Sequence, residues 1–130
     1  MKTKISFVGL GKLGLPLATN LAKKRFLVEG IDLNQKTIKT LQRGNAPWVE
    51  TDLQSNIDSA EDNITYTTKY DNAHKSDVSI ILVNTPTNKK DGSFSNIYVE
   101  QSLISLCNNF VENGKKSHHF ILSSTVMPRS

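Results

Sequence analysis

The chain has 130 residues, of which 37% are hydrophobic and 22% are charged, so it is long enough for one globular domain with its own core. Its net charge is +4, but the lysines and arginines are scattered, which argues against a nucleic-acid-binding face. No apolar run approaches the ~20 residues that span a bilayer, no signal-peptide cleavage site follows the N-terminus, and the single cysteine excludes an internal disulfide. We therefore expect a cytoplasmic protein, since a reducing compartment keeps a lone thiol free.

Apolar runs and helical periodicity alternate along the chain, which predicts strands that alternate with helices. The predicted strands are, in chain order, residues 4–8, 26–32, 63–67, 78–83 and 120–122. The predicted helices are residues 12–24, 35–43, 51–57 and 97–111. Leu13, Leu17 and Leu21 predict one apolar stripe on the first helix, and Thr51 or Asp52 is predicted to cap the third.

This alternation predicts an α/β fold with a doubly wound parallel sheet of the Rossmann type. Right-handed crossovers give the strand order 3-2-1-4-5 within a single domain, residues 1–130. In such sheets ligands bind beyond the carboxyl ends of the strands, at the switch between strands 1 and 4. A binding site is therefore predicted in segments 9–14, 32–36, 84–87 and 123–125.

Residues 9–14, Gly-Leu-Gly-Lys-Leu-Gly, follow the first strand and open a helix. Gly9 permits a tight turn, Gly11 leaves room for a pyrophosphate, and Gly14 lets the helix pack close to the strand. The positive end of that helix attracts phosphates. The same spacing also fits an ordinary glycine-rich turn without a ligand, but the flanking strand and helix favour a dinucleotide.

Asp32 ends the second strand, 18 residues after Gly14, close to the spacing of ~20 expected for the acid that binds the adenosine ribose. Its charge would repel a 2′-phosphate, so the sequence predicts NAD rather than NADP as the cofactor. Lys36 lies four residues further on and would soften this exclusion.

Three of the segments that follow strands resemble the UDP-glucose/GDP-mannose dehydrogenase family. Residues 9–18 resemble the opening of that family, including the proline after the third glycine. Residues 83–87 (Val-Asn-Thr-Pro-Thr), then 91–92 (Asp-Gly) and 98–100 (Tyr-Val-Glu), resemble its loop after strand 4 and the next helix. Residues 123–128 (Ser-Ser-Thr-Val-Met-Pro) resemble its Ser-Thr-Val segment. Pro47 and Glu50 echo a Pro-x-x-Glu-Pro-Gly element whose Pro-Gly is replaced here by Thr51 and Asp52.

The resemblance implies NAD-dependent oxidation of a nucleotide-sugar C6 alcohol to a carboxylate through a thio-linked intermediate, in polysaccharide biosynthesis. It implies that the adenosine ribose is held by Asp32 and Lys36. The residues implied at the pyrophosphate are Gly9, Gly11, Lys12, Leu13 and Gly14. The residues implied along the rest of the cofactor are Asn84, Thr85, Pro86, Thr87, Ser124 and Thr125.

The chain also departs from the family. The family's nucleophilic cysteine loop has no counterpart here, and its catalytic lysine and substrate-binding domains lie beyond residue 130. Cys107 is predicted to pack inside a helix, and the three histidines have no metal-binding spacing, so we predict neither a catalytic residue nor a metal site. We expect the chain alone to bind NAD and not to oxidise a nucleotide-sugar.

Two alternatives stay open from the sequence. One is the NAD domain of a β-hydroxyacid dehydrogenase, which shares the Gly-Leu-Gly opening. The other is a stand-alone, non-enzymatic module that senses NAD or docks to a partner. We also expect apolar surface at the edge of the fifth strand and self-association there.

Overall fold

In a computed structural model, residues 2–87, 90 and 95–124 of the protein are described. Five parallel strands form one sheet in the order β3-β2-β1-β4-β5, which confirms the predicted fold class and strand order. The strands are β1 (Lys4–Val8), β2 (Leu27–Ile31), β3 (Ile64–Thr67), β4 (Val78–Ile81) and β5 (His119–Leu122). The helices are α1 (Gly14–Lys23), α2 (Gln35–Gln42), α3 (Leu53–Ala60) and α4 (Ile97–Glu112), with short 3-10 turns at Glu61–Asn63 and Ala73–Lys75. Within the described ranges, no helix has both the length and the apolar character needed to cross a bilayer.

Helices cover both faces of the sheet. On one face α1, α2 and α3 pack over β1, β2 and β3, around a core that includes Phe7, Leu15 and Leu41. On the other face α4 packs over β1, β2 and β4, where Leu106 and Phe110 contact the strand residues. The central strand β1 is buried from Ile5 to Val8, because side chains that alternate along it enter one core or the other.

The apolar stripe predicted on α1 is only partly correct, because Leu21 packs against the core whereas Leu13, 77% exposed, and Leu17 do not. The fully buried residues of the helix are Leu15, Ala18 and Ala22, and the small alanines let α1 lie close to the sheet. Counting the spacing of the leucines therefore placed Leu13 and Leu17 on the core face, although both are exposed.

The predicted side-chain cap of α3 is also wrong. Asp52 has φ 65, in the left-handed region, and neither it nor Thr51 caps the helix with its side chain. A capping side chain needs an extended backbone at that position to reach the helix N–H groups. Gln54 stabilises this region instead, because it accepts from the backbone N–H of Ala46 and donates to the carbonyl of Gly44.

A hydrogen-bonded row of hydroxyls crosses the sheet beneath α4. Ser76 donates to the carbonyl of Ala73, and its oxygen lies 2.9 Å from the hydroxyl of Ser6. Ser6 lies 2.6 Å from Ser79, which lies 2.8 Å from Nε2 of His118. Since each hydroxyl has one proton, Ser6 must donate to Ser76, Ser79 to Ser6, and His118 Nε2–H to Ser79. The row therefore requires the neutral tautomer of His118 that carries its proton on Nε2.

The other ring nitrogen of His118, Nδ1, is buried without a hydrogen-bond partner among the described residues. Burial, followed by the positive charges of Lys115 and His119, lowers the pKa of His118 to about 4, although Asp77 opposes the shift. As the pH falls, His118 is therefore protonated in the unfolded chain before it is protonated in the folded protein, since its ordinary pKa is 6.5. The neutral ring contributes its full stability above that pH, and this contribution is lost as the pH falls toward 4.

We expect His118→Gln to reduce the dependence of the free energy of unfolding on pH in this range. The glutamine amide N–H can still donate to Ser79 but does not titrate. Urea unfolding should show the parent losing free energy of unfolding relative to the variant between pH 6.5 and pH 4. Above pH 6.5 the difference between the two proteins should stay constant. Parallel profiles across the whole range would contradict the assignment.

Candidate cofactor site at the carboxyl edge of the sheet

The turn after β1 is built by close backbone approaches. Gly9 has φ +105, and its N–H donates to the carbonyl of Ile31 at 2.8 Å. A β-carbon on Gly9 would lie 2.7 Å from the carbonyl carbon of Leu82, the residue after β4. Gly14, the first residue of α1, would drive a β-carbon into the carbonyl of Gly9 and to within 3.3 Å of the Phe7 ring. Side chains are therefore excluded at both glycines by the protein itself.

Gly11 is different, because a β-carbon there would meet nothing within 4 Å. The space above it is open, and it lies beside the N-terminus of α1. No side chain caps that end of the helix, where Leu13 holds the cap position. Uncapped N–H groups and the positive end of the helix dipole make this a suitable place for phosphate oxygens. The residues present here therefore fit a pyrophosphate.

Asp32 connects the first two loops of the site. One carboxylate oxygen accepts from the N–H of Leu10 at 2.8 Å, and the other accepts from the N–H of Asn34 at 2.9 Å. Each carboxylate oxygen can accept a further hydrogen bond, so both remain available to ribose hydroxyls. The sequence suggested only a ligand contact for Asp32 and missed its role in holding the glycine loop against the end of β2.

A cavity of about 500 Å³ opens between these loops and the first turns of α4. Four residues predicted for the cofactor line it: Gly9, Gly11, Asp32 and Asn84. Leu33, within the predicted segment 32–36, also lines it, whereas the sequence reasoning missed Tyr70, Tyr98, Gln101, Ser102 and Ser105. The last four recur at helical spacing on one side of α4, which is the signal that could have identified this wall.

Two tyrosines, Tyr70 and Tyr98, are among the residues that line the cavity. Burial raises the pKa of Tyr70, which therefore stays a neutral phenol. Tyr98 and Leu33, which also line the cavity, are large apolar side chains that remain exposed. Planar apolar walls with one carboxylate nearby suit an adenosine, which has a stacking base and a hydroxyl-rich ribose.

The remaining predicted residues that the structure describes are not among those that line this cavity. Lys12, Leu13 and Lys36 are exposed, the first two in the glycine loop and the third in the first turn of α2. Thr85, Pro86 and Thr87 follow β4, and the carbonyl of Pro86 accepts from the N–H of Ser95 at 2.7 Å. Ser124 bonds to the backbone of Val83. Thr125 lies outside the described residues, as do residues 91–92 and 126–128 of the family segments.

Cys107 does not pack inside the protein as predicted, because its side chain is exposed on α4. On this helix the core face is formed by Val99, Ser102, Leu106 and Phe110, and Cys107 points away from it. Among the described residues, no group of three histidines, cysteines or carboxylates could hold a metal ion.

The strand order of the parallel sheet, with the glycine turn, the start of α1 and Asp32 at its carboxyl edge, defines a Rossmann-type dinucleotide-binding domain. Residues 3–130 match the UDP-glucose/GDP-mannose dehydrogenase family, NAD binding domain, and the chain belongs to that family. It is therefore an NAD-binding domain.

Relatives and solved structures agree with this assignment. The UDP-N-acetyl-D-mannosamine dehydrogenase of Methanocaldococcus jannaschii is 33% identical over 129 residues, which are 96% of this chain and 29% of the relative. The GDP-mannose dehydrogenase of Pseudomonas aeruginosa, solved as a ternary complex, superposes with a TM-score of 0.86 at 31% identity, over 95% of this chain and 29% of that chain. The UDP-N-acetyl-mannosamine dehydrogenase of Staphylococcus aureus gives a TM-score of 0.87 at 33% identity, over 98% and 29%. The chain thus spans less than a third of the length of these proteins.

Proposed function

We propose that this chain is the cofactor-binding part of an enzyme that oxidises the C6 alcohol of a UDP- or GDP-sugar to a carboxylate, with NAD as the oxidant. The family match over residues 3–130 is the observation that carries the proposal. The names of the relatives, which are dehydrogenases of UDP- and GDP-sugars, support this substrate class. The same match favours this reading over a β-hydroxyacid dehydrogenase. A cytoplasmic setting suits a domain with one thiol.

We infer that the pyrophosphate lies over Gly11, next to the backbone of Lys12, Leu13 and Gly14. Open space at Gly11 and the uncapped start of α1 support this position. The adenosine would then enter the cavity, with its ribose on Asp32 and its base between the apolar walls. Lys36 is close enough in the chain to approach the ribose from the α2 side.

From the pyrophosphate, the nicotinamide half would extend in the opposite direction, toward the exits of β4 and β5. Thr85, Pro86 and Thr87 would line it, and Asn84 would lie between this half and the adenosine cavity. The family resemblance also assigns Thr125 to the cofactor. Bound NAD accepts the hydride from the sugar alcohol, and the role of these residues is to orient the cofactor.

Asp32 supplies the test of this placement. The parent should bind NAD more tightly than NADP, because the carboxylate accepts from ribose hydroxyls and repels a 2′-phosphate. Asp32→Asn keeps an acceptor for the N–H of Leu10 but loses the charge, so it should narrow the preference and weaken NAD binding about 10- to 100-fold, as hydrogen bonds to charged groups are worth about 1.5–3 kcal/mol. Titration calorimetry with both cofactors measures this.

Asp62→Asn is the matched control, because it removes the same charge from an exposed 3-10 turn outside the cavity lining. It should leave both affinities unchanged. Asp32→Ala should also lower the melting temperature, since Leu10 N–H and Asn34 N–H lose their acceptors. Tighter or equal binding of NADP by the parent would refute the role given to Asp32.

We also propose that two copies of the chain associate through β5. This edge strand exposes Phe120, Ile121 and Leu122, and unpaired strand edges with apolar side chains invite pairing. Sedimentation should show a concentration-dependent dimer that Ile121→Lys disrupts. Ile104→Lys, at an exposed site on α4, should not disrupt it. A parent that stays monomeric at high concentration would refute the proposal.

A further inference from the structure

The hydroxyl of Ser124 makes two hydrogen bonds to one residue. It accepts from the N–H of Val83 at 2.8 Å and donates to the carbonyl of Val83 at 2.9 Å. The ladder between β4 and β5 has its last paired residues at Ile81 and Leu122, and the N–H of Ser123 still donates to Ile81. One side chain thus satisfies the backbone donor and acceptor immediately beyond the end of the ladder.

The opposite side of this segment is held just as closely. The N–H of Leu82 donates to the carbonyl of Val8 at 2.8 Å. Gly9 packs on the same backbone, where its missing β-carbon would lie 2.7 Å from the carbonyl carbon of Leu82 and 3.1 Å from the nitrogen of Val83. Residues 82–83 are therefore held by packing against the glycine turn on one side and by the hydrogen bonds of Ser124 on the other. The next residue, Asn84, lines the cavity.

We propose that Ser124 is a positioning residue for cofactor binding: through Val83 it fixes the point where segment 84–87 leaves the sheet. The inference rests on the proposed function, which places that segment along the nicotinamide half of NAD. Because both bonds of the hydroxyl are made to the backbone, Ser124 acts through the loop. Without the hydroxyl, the N–H and carbonyl of Val83 lose their partner. Segment 84–87 can then shift, because residues 82–83 are no longer held against Gly9.

The test compares Ser124→Ala with Ser55→Ala, whose exposed side chain on α3 makes no hydrogen bond among the described contacts. Dissociation constants are measured for NAD and for AMP, which occupies only the adenosine end. Ser124→Ala should weaken NAD binding about tenfold, which corresponds to roughly 1.4 kcal/mol. AMP binding should weaken less than NAD binding, because Asn84 is the only residue of segment 84–87 that lines the adenosine cavity. Ser55→Ala should match the parent for both ligands. Ser124→Thr keeps the hydroxyl and should restore NAD binding.

Amide hydrogen exchange gives a second readout that does not depend on the cofactor. In Ser124→Ala the amide of Val83 should lose protection, while the amide of Leu82, bonded to Val8, should keep it. Parent-like NAD affinity in Ser124→Ala would overturn the proposal. So would equal weakening of NAD and AMP, because the loss would then not depend on the nicotinamide half of the cofactor. A parent that binds neither ligand would instead refute the proposed function. The exchange data would still test whether the hydrogen bonds of Ser124 hold Val83 in place.

Discussion

Replacing Gly11 with valine should abolish NAD binding and leave the protein folded. A β-carbon at Gly11 points into open space, so the fold has no reason to resist it. The same space is where the pyrophosphate must approach the backbone, and a valine side chain would fill it. We expect the dissociation constant to rise by about a hundredfold or more, equivalent to roughly 2.7 kcal/mol or more of lost binding free energy. Calorimetry measures the loss, and circular dichroism with thermal unfolding checks the fold.

The neighbouring glycine provides the contrast. Gly14→Ala places its methyl group against the backbone carbonyl of Gly9, which cannot move without opening the turn. It should lower the free energy of unfolding by about 1–3 kcal/mol, the usual cost of overpacking, or by more. Thus a larger side chain at Gly11 is tolerated by the fold, whereas the smallest one at Gly14 is not. A Gly11→Val protein that binds NAD like the parent would show that the phosphates lie elsewhere.

The strand order could be predicted because it depends on features that are local in the sequence. Apolar runs such as residues 78–83 identify strands, and right-handed crossovers then leave few arrangements. Strand ends also set the position of the site, which is why Gly9, Gly11, Asp32 and Asn84 were identified and do line one cavity. Gly44 and Gly114, with φ +83 and +72, follow the ends of α2 and α4, where a left-handed glycine commonly terminates a helix.

Features set by packing between distant segments could not be predicted in this way. The exposure of Cys107 and the burial of Ala18 depend on how each helix rotates about its axis over the sheet, which the spacing of large residues does not determine. The wall formed by Tyr98 and Gln101 appears only when α4 is placed opposite Asp32. The double hydrogen bond of Ser124 likewise joins residues 41 positions apart.

The chain alone should not oxidise UDP-glucose, UDP-N-acetylhexosamines or GDP-mannose. Oxidation of an alcohol to a carboxylate through a thio-linked intermediate needs a thiol nucleophile and a base that removes the alcohol proton. Cys107 is the only thiol in the sequence, and it is exposed on α4. It lies ten residues after Ile97, where α4 begins, and so ~15 Å along the helix from the carboxyl edge of the sheet at about 1.5 Å per residue.

The described segments proposed for the nicotinamide half also contain no candidate base. Residues 84–87 are Asn-Thr-Pro-Thr, and residues 123–124 are both serine. We therefore expect NAD to bind and no NADH to form when the purified chain is mixed with NAD and each nucleotide-sugar, followed by NADH absorbance. A complete family dehydrogenase serves as the positive control for the assay. Turnover by the chain that disappears in Cys107→Ser would make Cys107 the nucleophile, whereas turnover that appears only after a second polypeptide is added would show that a partner supplies the thiol and the base.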